Sequence, residues 1–334
     1  MNIVILAGGL SMERDVSLVS GNLIAKALRA EGNRVVLVDL YFGIKKEDMT
    51  FDGEQTEVSY KIGEQAPDLE LIKKENGGRQ FPIGENVIEF CKMADAVFLA
   101  LHGGVGEDGR LQALLEMHGI RFTGSSSLGC AIAMDKALSK ELARSANVPT
   151  AEWLVLDGKE READKMLPCF VKPADNGSSV GVSRAETPAQ LAEAVAEAEK
   201  YSKKVIVERE IVGREFSVGI LDGAALPPIE IVTGDTFYDY KTKYQAGIAR
   251  EICPAPIDKE LTETVQGYAI VMHKILCLGS YSRIDFIMNG EGKFYFLEAN
   301  ALPGMTPTSL LPQEAAAAGI AYNDLCNKII ELSI

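Results

Sequence analysis

The chain has 334 residues, 47% of them hydrophobic and 25% charged, which is enough for two or three globular domains that each bury a core. Asp and Glu outnumber Lys and Arg 48 to 34, for a net charge of −14, and no basic block occurs; this excludes a duplex nucleic-acid binder and means that any anionic ligand must be met by a local cluster of cations. The six scattered cysteines, Cys91, Cys130, Cys169, Cys253, Cys277 and Cys326, read as reduced core thiols, and with no leader-like start and no run of about 18 apolar residues the expectation is a soluble cytoplasmic protein with no membrane partner.

Residues 3–6 form a continuous apolar run that ends in Ala7-Gly8-Gly9; residues 17–29 then show helical spacing, and a second apolar run follows at 35–38. That order predicts a βαβ opening with an open parallel sheet, an α/β arrangement. The glycine turn is not G-x-G-x-x-G and no Walker A pattern occurs, so neither the dinucleotide nor the P-loop fingerprint is present. Residues 43–84 are polar and irregular and read as an insertion or long loop without a site. A buried strand over 96–101 runs into His102-Gly103-Gly104-Val105-Gly106-Glu107-Asp108-Gly109, so both Gly-Gly turns lie beyond the carboxyl ends of strands, where ligands gather in an open α/β sheet. His102 is there either a buried histidine satisfying backbone groups or a site residue. A helix at 110–118 and a short strand at 121–123 close a first domain, 1–125.

One helix is predicted over 128–146, carrying Asp135 and Lys136, and a strand over 151–156. The strand at 168–172 ends in Lys172 and leads into Pro173-Ala174-Asp175-Asn176-Gly177-Ser178-Ser179-Val180-Gly181-Val182. Such a turn can aim N–H groups and hydroxyls at phosphates, and it can equally be a plain hairpin connection. A helix at 188–199 and a strand at 204–207 complete a small α+β unit, 126–210. Glu208-Arg209-Glu210-Ile211 and Gly213-Arg214-Glu215 then open a strand through 221 and a second α+β unit, 211–334. Within it, residues 234–250 lack periodicity and mix aromatic with charged side chains, as lids do. A helix over 258–278 should back the hairpin that follows, and helices at 312–318 and 322–332 end the pattern.

In that hairpin, two β-rich runs at 284–288 and 293–299 flank Asn289-Gly290-Glu291-Gly292. With an even-membered loop Met288 pairs with Lys293, Asp285 lies opposite Phe296 and Arg283 opposite Glu298. Alternation then gathers Arg283, Asp285, Glu298 and Asn300 on one face. Asp285 and Glu298 become diagonal neighbours with backbones roughly 7–8 Å apart, room for oxygen-ligated cations such as Mg²⁺. The face reads either as a solvated ion cluster or as a metal site; Ile287, Phe294 and Phe296, expected on the same face, favour a bound ligand. An odd loop would turn one strand's residues away, and the shared site would not form.

The motifs make one ordered series: Glu13 after a glycine turn, H-G-G-V-G-E-D-G, Met134-Asp135-Lys136, V-K-P-A-D-N-G-S-S-V-G, V-E-R-E-I-V-G-R-E-F, Y-D-Y-K-T-K-Y, R-I-D-F and L-E-A-N-A-L-P-G-M-T. The series closely resembles the D-alanine:D-alanine ligase family of the ATP-grasp superfamily, over essentially the whole chain apart from 43–84. The resemblance implies an ATP-grasp architecture and an enzyme that phosphorylates the carboxylate of one D-alanine with ATP, lets the amine of a second D-alanine attack the acyl phosphate, and releases the dipeptide for peptidoglycan synthesis with ADP and phosphate. It also implies ATP and two Mg²⁺ ions, with Mn²⁺ able to substitute, as cofactors, and a homodimer joined through the first domain.

Residue by residue, the resemblance assigns Asp285, Glu298 and Asn300 to the two metal ions and Lys136 and Lys172 to the phosphates, under a loop that holds Ser178 and Ser179. Glu208, Arg209 and Ile211 match the purine-contacting hinge, and Glu215 the carboxylate on the ribose hydroxyls. Arg283 and the N–H of Gly304 match the oxyanion donors; Glu13 matches the acid for the ammonium of the first D-alanine, with His102 nearby. Ser309 and Leu310 match the group for the carboxylate of the second. Tyr244, with Lys243, falls at the lid position that hydrogen-bonds to the serine matching Ser178 and to Glu13. Related ligases that use D-lactate lack this tyrosine, whereas a D-alanine:D-serine ligase of the vancomycin-resistance type stays open as an alternative. Ala301 stands where threonine is common in the family, so the second subsite is less closely matched than the first.

Overall fold

The apolar run at the start of the chain forms β1 (Asn2–Ala7), in which Ile3, Val4, Ile5, Leu6 and Ala7 have no exposed surface. A strand covered on both faces needs such a run. In the computed structural model, which describes residues 1–52, 60–63, 67–156, 160–177, 180–232 and 250–334 except for the side chains of residues 160 and 161, β1 is followed by α1 (Arg14–Ala30) and by β2 (Arg34–Asp39), parallel to β1. A polar connection holding α2 (Leu69–Glu75) and α3 (Val87–Cys91) leads to β3 (Ala96–Leu99), parallel to the other edge of β1, so the strand order is β2-β1-β3. The region expected to be an irregular insertion therefore carries helix among its described residues. The strand expected at 121–123 reduces to a single bridge between Phe122 and Val97, because the Thr123 hydroxyl, not a main-chain carbonyl, accepts the next N–H, that of Leu99, at 3.0 Å.

After α4 (Arg110–Met117), the single helix expected over 128–146 is two helices, α5 (Ser127–Met134) and α6 (Lys136–Ser145). Asp135, at φ −83° and ψ 97°, leaves the helical region, and its carboxylate accepts the N–H of Leu138 at 3.1 Å. An aspartate inside a helical pattern competes for local N–H groups in this way, and here it acts as an N-cap. The break frees the N–H of Lys136 to donate to the carbonyl of Ala174, 2.8 Å away.

The second sheet contains β4 (Trp153–Val155), then, past α7 (Glu160–Ala163), β5 (Cys169–Pro173), β6 (Ser183–Ala185) and, past α8 (Pro188–Ala198), β7 (Val205–Arg209), antiparallel in the order β4-β7-β5-β6. The third is built from β8 (Gly213–Leu221), β9 (Ala224–Ala225), β10 (Ile229–Val232), β11 (Arg250–Ile252), β12 (Tyr281–Asn289) and β13 (Phe294–Asn300), in the order β11-β10-β8-β12-β13 with β9 beside β8. Its core face lies on α9 (Lys259–Ile275), with Phe216, Phe286, Phe294 and Phe296 packed edge to face. α10 (Leu310–Ala317) follows, and α11 (Tyr322–Glu331) returns to the first sheet, placing Leu325, Cys326, Ile329 and Ile330 in one core with Ile24 and Leu28 of α1.

The hairpin departs from the expected register in two ways. Met288 pairs with Phe294, and Asn289 N–H donates to the Lys293 carbonyl at 3.0 Å, so the loop Gly290-Glu291-Gly292 is odd. By itself this would carry Glu298 and Asn300 to the core face. A β-bulge restores them: Phe286 pairs with Phe296 but Asp285 pairs with Glu298, which leaves Leu297 as the extra residue. Arg283, Asp285, Glu298 and Asn300 still share a face, with Asp285 directly opposite Glu298 and Arg283 opposite Asn300. Phe294 and Phe296 go to the core instead, 1% and 0% exposed, and the apolar neighbours on the charged face are Ile287 and Leu297.

Four of the six cysteines are buried as expected, but Cys253 is half-buried and Cys277, at φ +54° just past α9, is exposed. All six are free thiols.

Gly292 sits at φ +80°, as the last residue of a three-residue loop requires, and a Cβ there would meet only Leu261 at 3.7 Å. Gly292→Ala should therefore cost about 1 kcal/mol of stability through backbone strain alone. Gly290→Ala, with nothing within 4 Å and no positive φ, should be close to neutral; the two denaturant midpoints give the comparison.

Candidate active site

The first sheet aims its turns at one place. Ser17, buried in α1, accepts the N–H of Gly8 at 2.8 Å and donates to the carbonyl of Ala100 at 2.5 Å, which ties the end of β1 to the end of β3. Arg14 donates to the carbonyl of Gly9 at 2.8 Å and pairs with Asp39, fixing the same turn. Glu13, just before α1, does not cap that helix with its side chain. Its Oε2 lies 3.3 Å from where a Cβ of Gly103 would stand and 3.7 Å from where one of Gly177 would stand, so a side chain at either glycine would fill the space this carboxylate faces.

His102 is 6% exposed, and its Nδ1 lies 3.1 Å from the carbonyl of Leu302. A carbonyl only accepts, so Nδ1 carries the proton and Nε2, which has no partner among the described residues, keeps its lone pair. Burial, more than anything the neighbouring Glu13 offsets, keeps the imidazole pKa low and the ring neutral. Glu107 accepts the N–H of Gly103 at 2.9 Å and that of Leu302 at 3.4 Å; burial, reinforced by the nearby charge of Glu13, pushes its carboxyl up to about 7. Glu13, His102, Glu107, Arg283, Glu298 and Asn300 all line one cleft, together with Gly304, Ser309 and Leu310.

A second cleft, over the same face of the hairpin, is lined by Lys172, Glu208, Arg209, Ile211, Glu215 and Asp285. Lys136, Arg283, Glu298 and Leu310 line both clefts. On the shared wall, Arg283 Nε and Nη2 donate to the two oxygens of Asp285 at 3.0 and 2.8 Å, Ser217 donates to the same carboxylate at 2.7 Å, and Asn300 Nδ2 does so at 3.0 Å. Lys136 Nζ lies 3.3 Å from Glu298 Oε2 and donates to the carbonyl of Asn176 at 2.7 Å. In the second cleft Glu208, 3% exposed, accepts from Lys172 at 2.9 Å and pairs with Lys140 at 3.1 Å. Arg209 turns its guanidinium to Glu152 at 3.0 Å and to the carbonyl of Lys165 at 3.2 Å.

At the mouth of the first cleft, Ser309 Oγ accepts the N–H of Thr306 at 3.1 Å and would stand 2.9 Å from a Cβ on Gly304. Only glycine leaves that hydroxyl and the Gly304 main chain this close. Of the residues expected at the site, Ser178, Ser179, Lys243 and Tyr244, with the lid as far as residue 249, lie outside the described residues. All the others line one or both clefts. Glu107, Ser217 and Lys140 also belong to these walls or stand directly behind them, although the pattern does not single them out. The place of Glu107 inside H-G-G-V-G-E-D-G was a signal for it. Ser217 and Lys140 look like any strand serine and helix lysine until the sheet brings them to a carboxylate.

Asp285, Glu298 and Asn300 are all hard oxygen donors on one face, a set that suits Mg²⁺ better than a soft metal. The Asn300 amide shows the same fit, since with its nitrogen on Asp285 its oxygen is the atom left to ligate. The side-chain donors are thus in place next to two cations, Arg283 and Lys136, that can neutralise phosphoryl charge.

Two family models match the chain, one described as D-ala D-ala ligase N-terminus over residues 2–125 and one as D-ala D-ala ligase C-terminus over residues 142–331. A D-alanine–D-alanine ligase of Pediococcus pentosaceus is 42% identical over 99% of this chain and 97% of its own length. The enzyme of that name from Lacticaseibacillus casei is 39% identical over 99% and 95%. Among solved structures, the Bacillus anthracis D-alanine–D-alanine ligase complexed with ATP superposes with a TM-score of 0.78 at 32% identity, covering 100% of this chain and 96% of that one. With the ordered walls of the two clefts, these matches establish that the chain belongs to the D-alanine–D-alanine ligase family and has its ATP-grasp fold.

Proposed function

We propose that this chain joins two molecules of D-alanine into D-alanyl-D-alanine, with ATP converted to ADP and phosphate, to supply peptidoglycan precursor synthesis in the cytoplasm. One observation carries the reading: Arg283, Glu298 and Lys136 line both clefts, so a carboxylate lodged in the first and a triphosphate lodged in the second would meet across them. The second cleft takes the nucleotide, with Ile211 and the main chain of Arg209 against the purine, Glu208 behind it, Glu215 on the ribose, and Lys136 and Lys172 on the phosphates under Ser178 and Ser179. The first cleft takes the amino acids, with Glu13 on the first ammonium, His102 beside it, and Ser309 and Leu310 on the second carboxylate.

Asp285, Glu298 and Asn300 would hold the two Mg²⁺ ions, which when bound neutralise the phosphoryl oxygens as charge shifts. Arg283 stays charged at any working pH and offers a planar fork, so it and the Gly304 N–H suit the oxyanion of the tetrahedral centre. Neutral His102, with a lone pair on Nε2, can accept a proton but brings no positive charge against the incoming ammonium. Tyr244 and Lys243 close the site in this reading. A homodimer completes it, and no helix among the described residues is long and apolar enough to cross a membrane.

An ADP-release assay with D-alanine, D-serine and D-lactate as second substrate tests the function. D-alanine should turn over fastest; no turnover of D-alanine would overturn the proposal, and a clear preference for D-serine would move the chain to the D-alanine:D-serine ligases. Glu298→Gln keeps shape and removes one charge, so turnover should fall on the order of 10²-fold while the unfolding midpoint stays close to the parent's. Near-parental activity in that variant would show that Glu298 holds no metal. Finally, Glu107 gains its charge as the pH rises through about 7, placing a second carboxylate beside Glu13 where the cationic ammonium of the first D-alanine should bind. The KM for that substrate should therefore fall a few-fold, about two to five, from pH 6 to 8. Glu107→Gln should flatten the profile.

A further inference from the structure

Lys140 has no exposed side-chain surface and lines neither cleft. Taking an ammonium out of water costs several kcal/mol unless it is compensated, and an apolar residue of the same volume would pack the site at no such cost. Its Nζ lies 3.1 Å from Glu208 Oε1 and donates to Thr150 Oγ1 at 2.7 Å. The other oxygen of Glu208 already accepts from Lys172 at 2.9 Å. Lys172 alone would balance Glu208, and the pair would then present a neutral wall to the second cleft. With Lys140 the group of three carries a net positive charge. That surplus matters because the wall of this cleft holds more carboxylates than cationic side chains among the described residues, which is unfavourable for a polyanion.

We propose that Lys140 is a positioning residue of the nucleotide cleft: it neutralises Glu208 from behind, so that the ammonium of Lys172 keeps its charge for the phosphates of the nucleotide. The inference rests on the ATP reading above. Burial lowers the pKa of Lys140 while Glu208 works against that shift, and for Lys172 the carboxylates Glu208, Glu298 and Glu215 outweigh burial and hold it above the usual lysine range. Lys140 also steadies the hairpin, since Thr150 Oγ1 donates to the carbonyl of Phe296 at 2.9 Å and Phe296 N–H to the carbonyl of Pro149 at 2.7 Å, beside the bulge at Leu297.

The test separates charge from packing. Lys140→Met keeps chain length and removes the ammonium. In the full chain with Mg²⁺, the KM for ATP should rise about tenfold, with kcat, the KM for D-alanine and the inhibition constant of adenosine, which has no phosphate, each within about twofold. Equal weakening of ATP and adenosine would show a merely structural role, and an unchanged KM for ATP would show no role; either overturns the inference. Trp153 is the chain's one tryptophan, its ring centroid 5.7 Å from Lys140 Nζ, and its emission checks that the variant keeps the parental environment. If the methionine variant fails to fold, Lys140→Gln, which can still hydrogen-bond Thr150 and Glu208, is read by the same criteria. A parent chain that consumes no ATP overturns the functional reading itself, whereas a parent that does so with an unaffected variant overturns only the role of Lys140.

Discussion

Side chains on a strand alternate between faces, and the site depends on how β13 meets that constraint. Its inner half must send Phe294 and Phe296 to the core over α9, while its outer half must send Glu298 and Asn300 to the clefts. A regular strand after this odd loop cannot do both. The single extra residue Leu297 shifts the phase between the two halves and sets Glu298 directly across from Asp285. Stability is assigned to one half of the strand and chemistry to the other.

Carboxylates brought together in this way repel one another unless cations stand among them. Each has one at short range: Arg283 on Asp285, Lys136 on Glu298, Lys172 and Lys140 on Glu208. The lysines come from three different places, the first turn of α6, its second turn, and the end of β5. The kink at Asp135 connects them, because it starts α6 at Lys136 and binds its first N–H to the chain leaving β5. A continuous helix over 128–146 would not present that N–H to Ala174.

Much of this was legible in the residues. The βαβ opening, the two Gly-Gly turns beyond strand ends and the hairpin at Asn289 to Gly292 follow from patterns with a short range and a clear period. The pooling of Arg283, Asp285, Glu298 and Asn300 was also legible, although it rests on an odd loop and a bulge that cancel, not on the even loop the pattern suggests. What stayed hidden depends on partners far away in the sequence. Lys140 becomes a buried cation only when β7 brings Glu208 to it; Phe294 and Phe296 are core residues because the three-residue loop sets them opposite Met288 and Phe286, and Glu298 and Asn300 reach the clefts only because the ladder slips at Leu297. The break at Asp135 was hidden for another reason: its signal, a capping residue inside an apolar repeat, is weaker than the repeat.

The return of α11 to α1 bears on how such a chain reaches its fold. Leu325, Ile329 and Ile330 finish a core begun by Ile3, Ile5, Ile24 and Leu28, with almost the whole sequence between them. Chains emerge from the ribosome in order, and contacts between distant segments form late. A nascent chain that has made β1, α1 and β3 therefore keeps part of that apolar face uncovered until α11 has been made, and an uncovered apolar face is where a folding chain is open to aggregation.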